Sequence, residues 1–225
     1  MTGVINSPYT SEQIAIWLRG LLTLAWADGH FDEEERELIA SITQDELAPS
    51  VNLDEVETIT PEQLAAALSE DRVAAENFLR TAVMVAVADG VYSPSEHELL
   101  QQFSQALGFD PEILNALRST YDGHLAETET GLHPPQSQSA ADLLHPAREW
   151  LDGLDVRDPR VARFLCKLIP PQCPFERDVK LFGHKVVHIP AMCKLNPLYD
   201  QLVGLRFRAL SYLADDCGED VSRYC

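Results

Sequence analysis

The chain has 225 residues, a formal net charge of −19, 45% hydrophobic residues and 24% charged residues. This balance is typical of a globular protein and excludes a disordered or fibrous chain. The longest apolar runs are too short to span a bilayer, and the N-terminus lacks the charged and apolar segments of a secretory signal. We therefore expect a cytoplasmic protein with no integral membrane association.

The negative charge lies entirely in the first part of the sequence. Residues 1–140 contain 24 acidic residues, five arginines and no lysine, whereas residues 141–225 contain 12 acidic and 12 basic residues. A field of this sign repels nucleic acid and attracts cations or basic protein surfaces. We therefore predict no nucleic-acid partner and expect a protein partner with a basic surface. The alternative is that the charge serves solubility alone.

The acidic part contains an internal repeat built around an Asp-Gly pair. Residues 25–39 read AWADGHFDEEERELI and residues 86–100 read AVADGVYSPSEHELL, with seven of fifteen positions identical. In each copy an apolar helix is expected to end at the glycine, which adopts the left-handed conformation without steric cost. A second helix then begins at a capping box, which is Asp32 with Glu35 in the first copy and Ser93 with Glu96 in the second.

The remaining start signals complete an N-terminal module, residues 1–122, which is predicted to be an acidic all-α bundle. Apolar helices are expected over residues 14–27 and 78–88. Thr60-Pro61 and Asp110-Pro111 predict further helices through Leu68 and about Tyr121. Residues 123–141 lack apolar periodicity and are rich in Thr, Ser, Gln and Pro, which predicts a linker.

The C-terminal module, residues 142–225, is predicted to be a small α-rich domain with one β-hairpin, so that the whole chain is mainly α. Helices are expected around residues 146–151, from Asp158-Pro159 to about Leu168, and from a cap at Asn196-Pro197 to Leu213. β-branched residues lie on both sides of Phe-Gly-His within residues 178–189, which predicts the hairpin.

The doubled Asp-Gly motif in an acidic helical domain resembles the TerB-like tellurite-resistance family over roughly the first 120 residues. The resemblance implies a compact helical bundle, a link to tellurite or metal stress, and acidic clusters that bind calcium or another divalent cation. Carried over by position, Asp28, Asp32 and Glu35 would form one cluster, and Asp89 and Glu96 would belong to the other. The second cluster has fewer carboxylates, so its metal affinity is expected to be lower.

Residues 145–225 are similar to the domain called Mo-dependent nitrogenase C-terminal. The similarity lies in RFLCKLIPPQCP (163–174), HIPAMCKLNPLY (188–199) and GLRFRALSYLA (204–214). This resemblance implies a link to nitrogen fixation. The G-x-x-x-x-G-K-[ST] loop of the nitrogenase iron protein does not occur in the sequence, and neither do G-x-S-x-G or H-E-x-x-H. We therefore predict a protein that is not an enzyme.

Two kinds of metal site remain open from the residues. The Asp-Gly turns offer carboxylates and backbone carbonyls to a hard cation, although Asp32 and Glu35 could serve only as helix caps. The cysteines that could hold zinc or an iron–sulfur cluster are Cys166, Cys173, Cys193 and Cys217, with His184 and His188 as substitutes. The alternative for these cysteines is that they are small buried hydrophobes.

Positive charge in the C-terminal module comes in part from four arginines, Arg160, Arg163, Arg206 and Arg208. They could pair with carboxylates of their own module or dock it onto the acidic N-terminal module. The leading hypothesis is a non-catalytic, metal-responsive interaction or adaptor protein that responds to a calcium-like divalent cation. The alternative is a redox or cluster-carrier protein that binds zinc or an iron–sulfur cluster through its cysteines.

Overall fold

A computed structural model describes residues 7–27, 58–87, 92–130, 138–169, 177–181, 184–189 and 196–224. The protein is mainly helical, as predicted, with eight α-helices in these residues. They are α1 (Ser11–Ala25), α2 (Pro61–Leu68), α3 (Arg72–Ala86), α4 (Pro94–Ala106), α5 (Glu112–Thr130), α6 (Gln138–Asp152), α7 (Pro159–Leu168) and α8 (Tyr199–Ser211). A π-helical turn (Tyr212–Asp216) and a 3-10 turn (Ser222–Tyr224) follow α8. None of the described helices is both long enough and apolar enough to cross a membrane.

Local capping chemistry fixes several helix starts. Capping boxes begin α1 at Thr10, α2 at Thr60 and α4 at Ser93, and a proline takes the first position of α2 and α4. Each cap contributes about 1 kcal/mol because it satisfies backbone N–H groups that have no partner within the helix. The predicted box at Ser93 and the predicted helix start at Thr60 are confirmed, whereas the box at Thr10 was not predicted.

Two predicted boundaries are wrong. The helix α3 begins at Arg72, six residues before the predicted start, because the Asp71 carboxylate accepts the N–H groups of Val73 and Ala74. The helix α5 continues to Thr130, and α6 begins at Gln138, so helix occupies both ends of the predicted linker. Helix propagation adds a hydrogen bond for each residue that it fixes, so an established helix can continue through residues of low propensity such as Asp122 and Gly123.

Two short strands, β1 (Arg177–Leu181) and β2 (His184–Ile189), pair antiparallel in the segment for which the sequence predicts a hairpin. Val179 lies opposite Val187 in this pair. The core formed by the described side chains contains helices and their connections.

Aromatic rings form the centre of the N-terminal core. Tyr9 packs on Trp17 at a centroid distance of 5.2 Å, Trp17 on Phe78 at 5.9 Å, and Phe78 on Phe103 at 5.8 Å. The last two pairs meet edge to face, an arrangement that the ring quadrupole favours. Gly20 allows α1 to approach this stack, because a Cβ atom at Gly20 would lie 2.7 Å from two ring carbons of Phe78.

The buried apolar residues of both predicted modules belong to one continuous core. Leu144, Ala147 and Leu151 of α6 and Leu165 of α7 join the cluster that contains the aromatic stack. The helices α1 and α7 face each other across a small apolar space, which is lined by Trp17 and Leu21 of α1 and by Phe164 of α7. The structure therefore packs the C-terminal module directly against the N-terminal bundle.

Candidate functional site

Of the five carboxylates predicted to bind a hard cation, one lies in the described part of the chain. Asp28, Asp32, Glu35 and Asp89 lie outside the described residues, and Glu96 lies in the first turn of α4. Its Oε2 accepts the Ser93 N–H at 2.9 Å and the Ser93 hydroxyl at 2.7 Å, while the Glu96 N–H donates to Ser93 Oγ at 3.2 Å. At this position the structure places Glu96 in the helix cap.

Both flanks of the second Asp-Gly turn are fixed by buried contacts. On its N-terminal side, the carbonyl of the fully buried Val87 accepts the side-chain amide of Asn196 at 2.5 Å. On its C-terminal side, the Tyr92 carbonyl accepts Arg118 Nη1 at 2.5 Å, and the Tyr92 ring meets the Tyr121 ring edge to face at 5.8 Å. Burial, together with the negative charge of nearby Glu96, raises the pKa of Tyr92, so its hydroxyl stays neutral.

Asn196 connects the C-terminal module to Val87 at the end of α3. Its Oδ1 accepts the Tyr121 hydroxyl at 2.8 Å and the Leu198 N–H at 2.9 Å, and its side chain is only 3% exposed. The sequence predicts Asn196 as the cap of the last long helix. That prediction is wrong, because α8 begins at Tyr199 and its N-cap, Leu198, makes no side-chain cap hydrogen bond. The amide instead connects residues that are 109 and 75 positions away in the chain.

A second polar contact between the modules surrounds Asp158. This fully buried residue caps α7 by accepting the N–H groups of Arg160 and Val161, and it also accepts the Ser7 hydroxyl. Arg160 Nη2 pairs with the Asp158 carboxylate at 2.8 Å and donates to the Tyr9 carbonyl at 3.3 Å. Burial opposes ionisation of Asp158, but the hydrogen bonds from Arg160 and Ser7 and the charge of Arg160 outweigh it and lower the pKa.

A third contact joins α3 to α6 and the connection that follows it. Glu76 Oε1 accepts both Arg80 Nη2 at 2.9 Å and the Trp150 indole N–H at 3.1 Å, and the Arg80 guanidinium lies 5.5 Å from the Trp150 ring centroid. The buried Asn77 donates to the Tyr9 hydroxyl at 3.0 Å and accepts the Asp155 N–H at 3.4 Å. We call these three contacts together the junction.

Two family models match the chain, and each covers one of the two modules that meet at the junction. The family model described as "Protein of unknown function (DUF533)", a TerB-like family, matches residues 6–121 and so covers just over half of the chain. The chain belongs to this family. The model described as "Mo-dependent nitrogenase C-terminus" matches residues 143–225. No curated protein and no solved structure matches the chain. Both predicted resemblances are confirmed, and the junction lies between a DUF533 module and a nitrogenase C-terminus module.

Of the four cysteines predicted as soft-metal ligands, two lie in the described part of the chain. Cys166 is buried in α7, and Cys217 is half-buried after the π-helical turn, whereas Cys173 and Cys193 lie outside the described residues. Burial raises the pKa of the Cys217 thiol, although a hydrogen bond with Tyr212 opposes the shift. In the part of the chain that the structure describes, no three His, Cys, Asp or Glu residues form a group that could hold a metal ion.

The arginines of the nitrogenase C-terminus module contact this module itself. Arg163 Nε donates to both carboxylate oxygens of Glu219 at 3.0 Å. Arg206, predicted to pair with carboxylates of its own module or to dock onto the N-terminal module, is buried and donates to the carbonyls of Ile169 and Tyr224. Arg208 Nη1 donates to the Asp152 carbonyl at 2.6 Å. Arg160 also contacts the other module, because it donates to the Tyr9 carbonyl.

Sequence reasoning named Asp158 as a helix start, Arg160 as a possible docking residue and Asn196 as a cap, but it did not find the other junction residues. Asn77 and Tyr121 lie on helices whose apolar pattern predicts only a buried face, and Trp150 lies in a segment predicted as a short helix. The one signal in the sequence is the polar Asn77 beside the apolar Phe78 and Leu79, because a buried amide requires a hydrogen-bond partner. The identity of that partner depends on tertiary packing.

Proposed function

We propose that this chain is a non-catalytic, metal-responsive interaction or adaptor protein. Its acidic DUF533 module binds a divalent, calcium-like cation or the basic surface of a partner protein, and its nitrogenase C-terminus module makes the specific contact. The observation that supports this most directly is the hydrogen bond from Asn196 to the Val87 carbonyl. It connects the second module to the residue two positions before Asp89 of the second Asp-Gly turn.

Charge supports the first part of the proposal. The net charge of −19 lies in residues 1–140, which contain both Asp-Gly pairs, and carboxylate and carbonyl oxygens are the ligands that hard cations prefer. The same field favours encounter with a basic protein surface. The family resemblances extend the proposal to a role in metal stress or nitrogen fixation.

The junction supports coupling between the two modules. A cation that changes the backbone at the second turn would act on Val87 and Tyr92, and both are held by buried contacts. Because Asn196 contacts both Val87 and Tyr121, a change there reaches the nitrogenase C-terminus module without a flexible link. Thermodynamic linkage is reciprocal, so weakening the Asn196 contacts should also change the cation affinity, by the same factor as cation binding changes the strength of those contacts.

Thermal unfolding of the full chain tests the cation part. Calcium at about ten times its dissociation constant should stabilise the native state by about 1.4 kcal/mol, which raises the Tm by about 3–5 °C for a chain of this size. Asp28→Asn should reduce the response more than Asp89→Asn, because the second cluster has fewer carboxylates. Asp200→Asn, an exposed change in α8, is the matched control and should keep the full response. Identical melting curves in calcium and in chelator would refute the proposal.

A further inference from the structure

A groove of about 250 Å³ lies beside the third junction contact and is built by both family modules. Leu79 of α3 and Leu114 of α5 contribute from the DUF533 module, and Trp150 of α6 contributes from the nitrogenase C-terminus module. Ligand sites occur preferentially at such interfaces between domains. The volume lies below the range of about 300–1,000 Å³ for drug-sized ligands, so the groove suits a smaller molecule.

Backbone and side-chain hydrogen bonds close the turn that forms one wall of the groove. Gly108 has a φ of +74°, and the Phe109 N–H donates to the Ser104 carbonyl at 2.9 Å in the manner of a Schellman motif. The Ser104 hydroxyl donates back to the Phe109 carbonyl at 3.2 Å. This wall therefore needs little ordering when a ligand binds, which favours affinity.

Two opposite charges line the same groove without pairing with each other. The Arg72 guanidinium carbon lies 4.5 Å from the Phe109 ring centroid, and no carboxylate pairs with Arg72 in the described part of the chain. Asp110 uses Oδ1 to accept the Glu112 N–H at 2.9 Å, and its second carboxylate oxygen makes no described hydrogen bond. A stacked guanidinium keeps its edge N–H groups available for an anion.

We propose that this groove binds a free α-amino acid with an aromatic or branched aliphatic side chain. The ligand carboxylate binds Arg72, its ammonium binds Asp110, and its side chain enters the apolar part between Leu79, Leu114 and Trp150. A simple anion would meet repulsion from Asp110, and a simple cation would meet repulsion from Arg72, whereas a zwitterion satisfies both charges. This site is separate from the cation site of the proposed function, and neither depends on the other.

Binding of L-phenylalanine to the full chain tests the proposal. The chain has three tryptophans, so its ¹H–¹⁵N spectrum contains three indole signals, and Trp150→Phe identifies the one in the groove. Phenylalanine should shift the Trp150 signal in a saturable manner, with a dissociation constant of about a millimolar or below. Phenylalaninamide and 3-phenylpropionate, which lack one charge each, should bind about tenfold more weakly or worse.

Two variants separate the charges. Arg72→Gln should weaken phenylalanine by at least about tenfold and should not weaken the cationic amide, which Arg72 repels. Asp110→Asn should likewise weaken phenylalanine and should not weaken 3-phenylpropionate, which Asp110 repels. Asparagine caps a helix about as well as aspartate, so Asp110→Asn should fold normally, which the Tm checks. Arg157→Gln, an exposed arginine that does not line the groove, is the control and should bind like the wild type.

Several outcomes would overturn the proposal. One is a shift of the Trp150 signal that does not saturate by about 10 mM phenylalanine, which is about ten times the largest dissociation constant expected. Another is equal binding of phenylalanine and 3-phenylpropionate, which would make the groove a simple anion site. A third is retention of phenylalanine binding in Arg72→Gln while the variant keeps the wild-type Tm.

Discussion

Replacing Asn196 by alanine should destabilise the whole chain by about 3–5 kcal/mol. The substitution removes hydrogen bonds to the Val87 carbonyl, the Tyr121 hydroxyl and the Leu198 N–H. Val87 and Tyr121 are 0% and 1% exposed, so water cannot replace the lost partner. A buried polar group left unpaired costs about 1–3 kcal/mol, and two such groups plus a small cavity account for the expected sum.

Urea unfolding followed by circular dichroism measures this effect. Because the described core is continuous across the junction, wild type and variant should each unfold in one transition, with the midpoint of Asn196→Ala at lower urea. Tyr121→Phe removes only the hydroxyl and should cost about 1 kcal/mol. The double variant should cost less than the two single changes together, since both remove the same hydrogen bond.

Asn115→Ala is the matched control. Asn115 accepts Gln101 Nε2 at 2.8 Å on the exposed surface, so its loss should change stability by no more than about 0.5 kcal/mol. If Asn196→Ala were no more destabilising than Asn115→Ala, the junction would not hold the modules together. Two separate transitions in the wild type would contradict the single core directly.

Three further predictions concern stability and metal content. Gly20→Ala places a Cβ atom 2.7 Å from a core phenylalanine ring and should destabilise the protein by about 1–3 kcal/mol. Gly204→Ala has open space around it and should stabilise the protein by about 0.5–1 kcal/mol. Urea unfolding of the two variants should therefore show stability changes of opposite sign. The lowered pKa of Asp158 means that its carboxylate stabilises the native state above about pH 4, and this contribution disappears as the pH falls through the lowered value. The stability gap between wild type and Asp158→Asn should therefore be widest near pH 7 and narrow in acid, and a gap independent of pH would contradict the assignment. If the cysteines are core thiols, Cys166→Ser should lower the stability more than Cys217→Ser, because Cys166 is the more buried. Equal unfolding of both variants, with nearly one equivalent of zinc or iron by elemental analysis of the wild type, would favour the cluster-carrier alternative.

The parts of the fold that the sequence predicted are those set by neighbouring residues. The caps at Ser93 and Asp158 each bind N–H groups two or three positions away, so their residue types alone identify a helix start. Boundaries that depend on propagation were predicted less well, and α5 passes Tyr121 to reach Thr130. Asp122 and Gly123 follow Tyr121 directly, and an Asp-Gly pair is expected to end a helix, yet α5 continues through both residues. Neither this stop signal nor the polar composition was therefore a sufficient reason to predict a linker there.

The candidate site could not be predicted in the same way, and Asn196 shows why. An Asn-Pro pair is a common start signal, and the pattern assigns the side chain to the backbone that follows it. One of its three hydrogen bonds, with the Leu198 N–H, does go there. The other two go to Val87 and Tyr121, and those partners become available only because the end of α3 and the middle of α5 meet the start of α8. Since a local contact and a long-range contact can use the same carboxamide, sequence pattern identifies the residue but not its role, and tertiary packing decides which modules it connects.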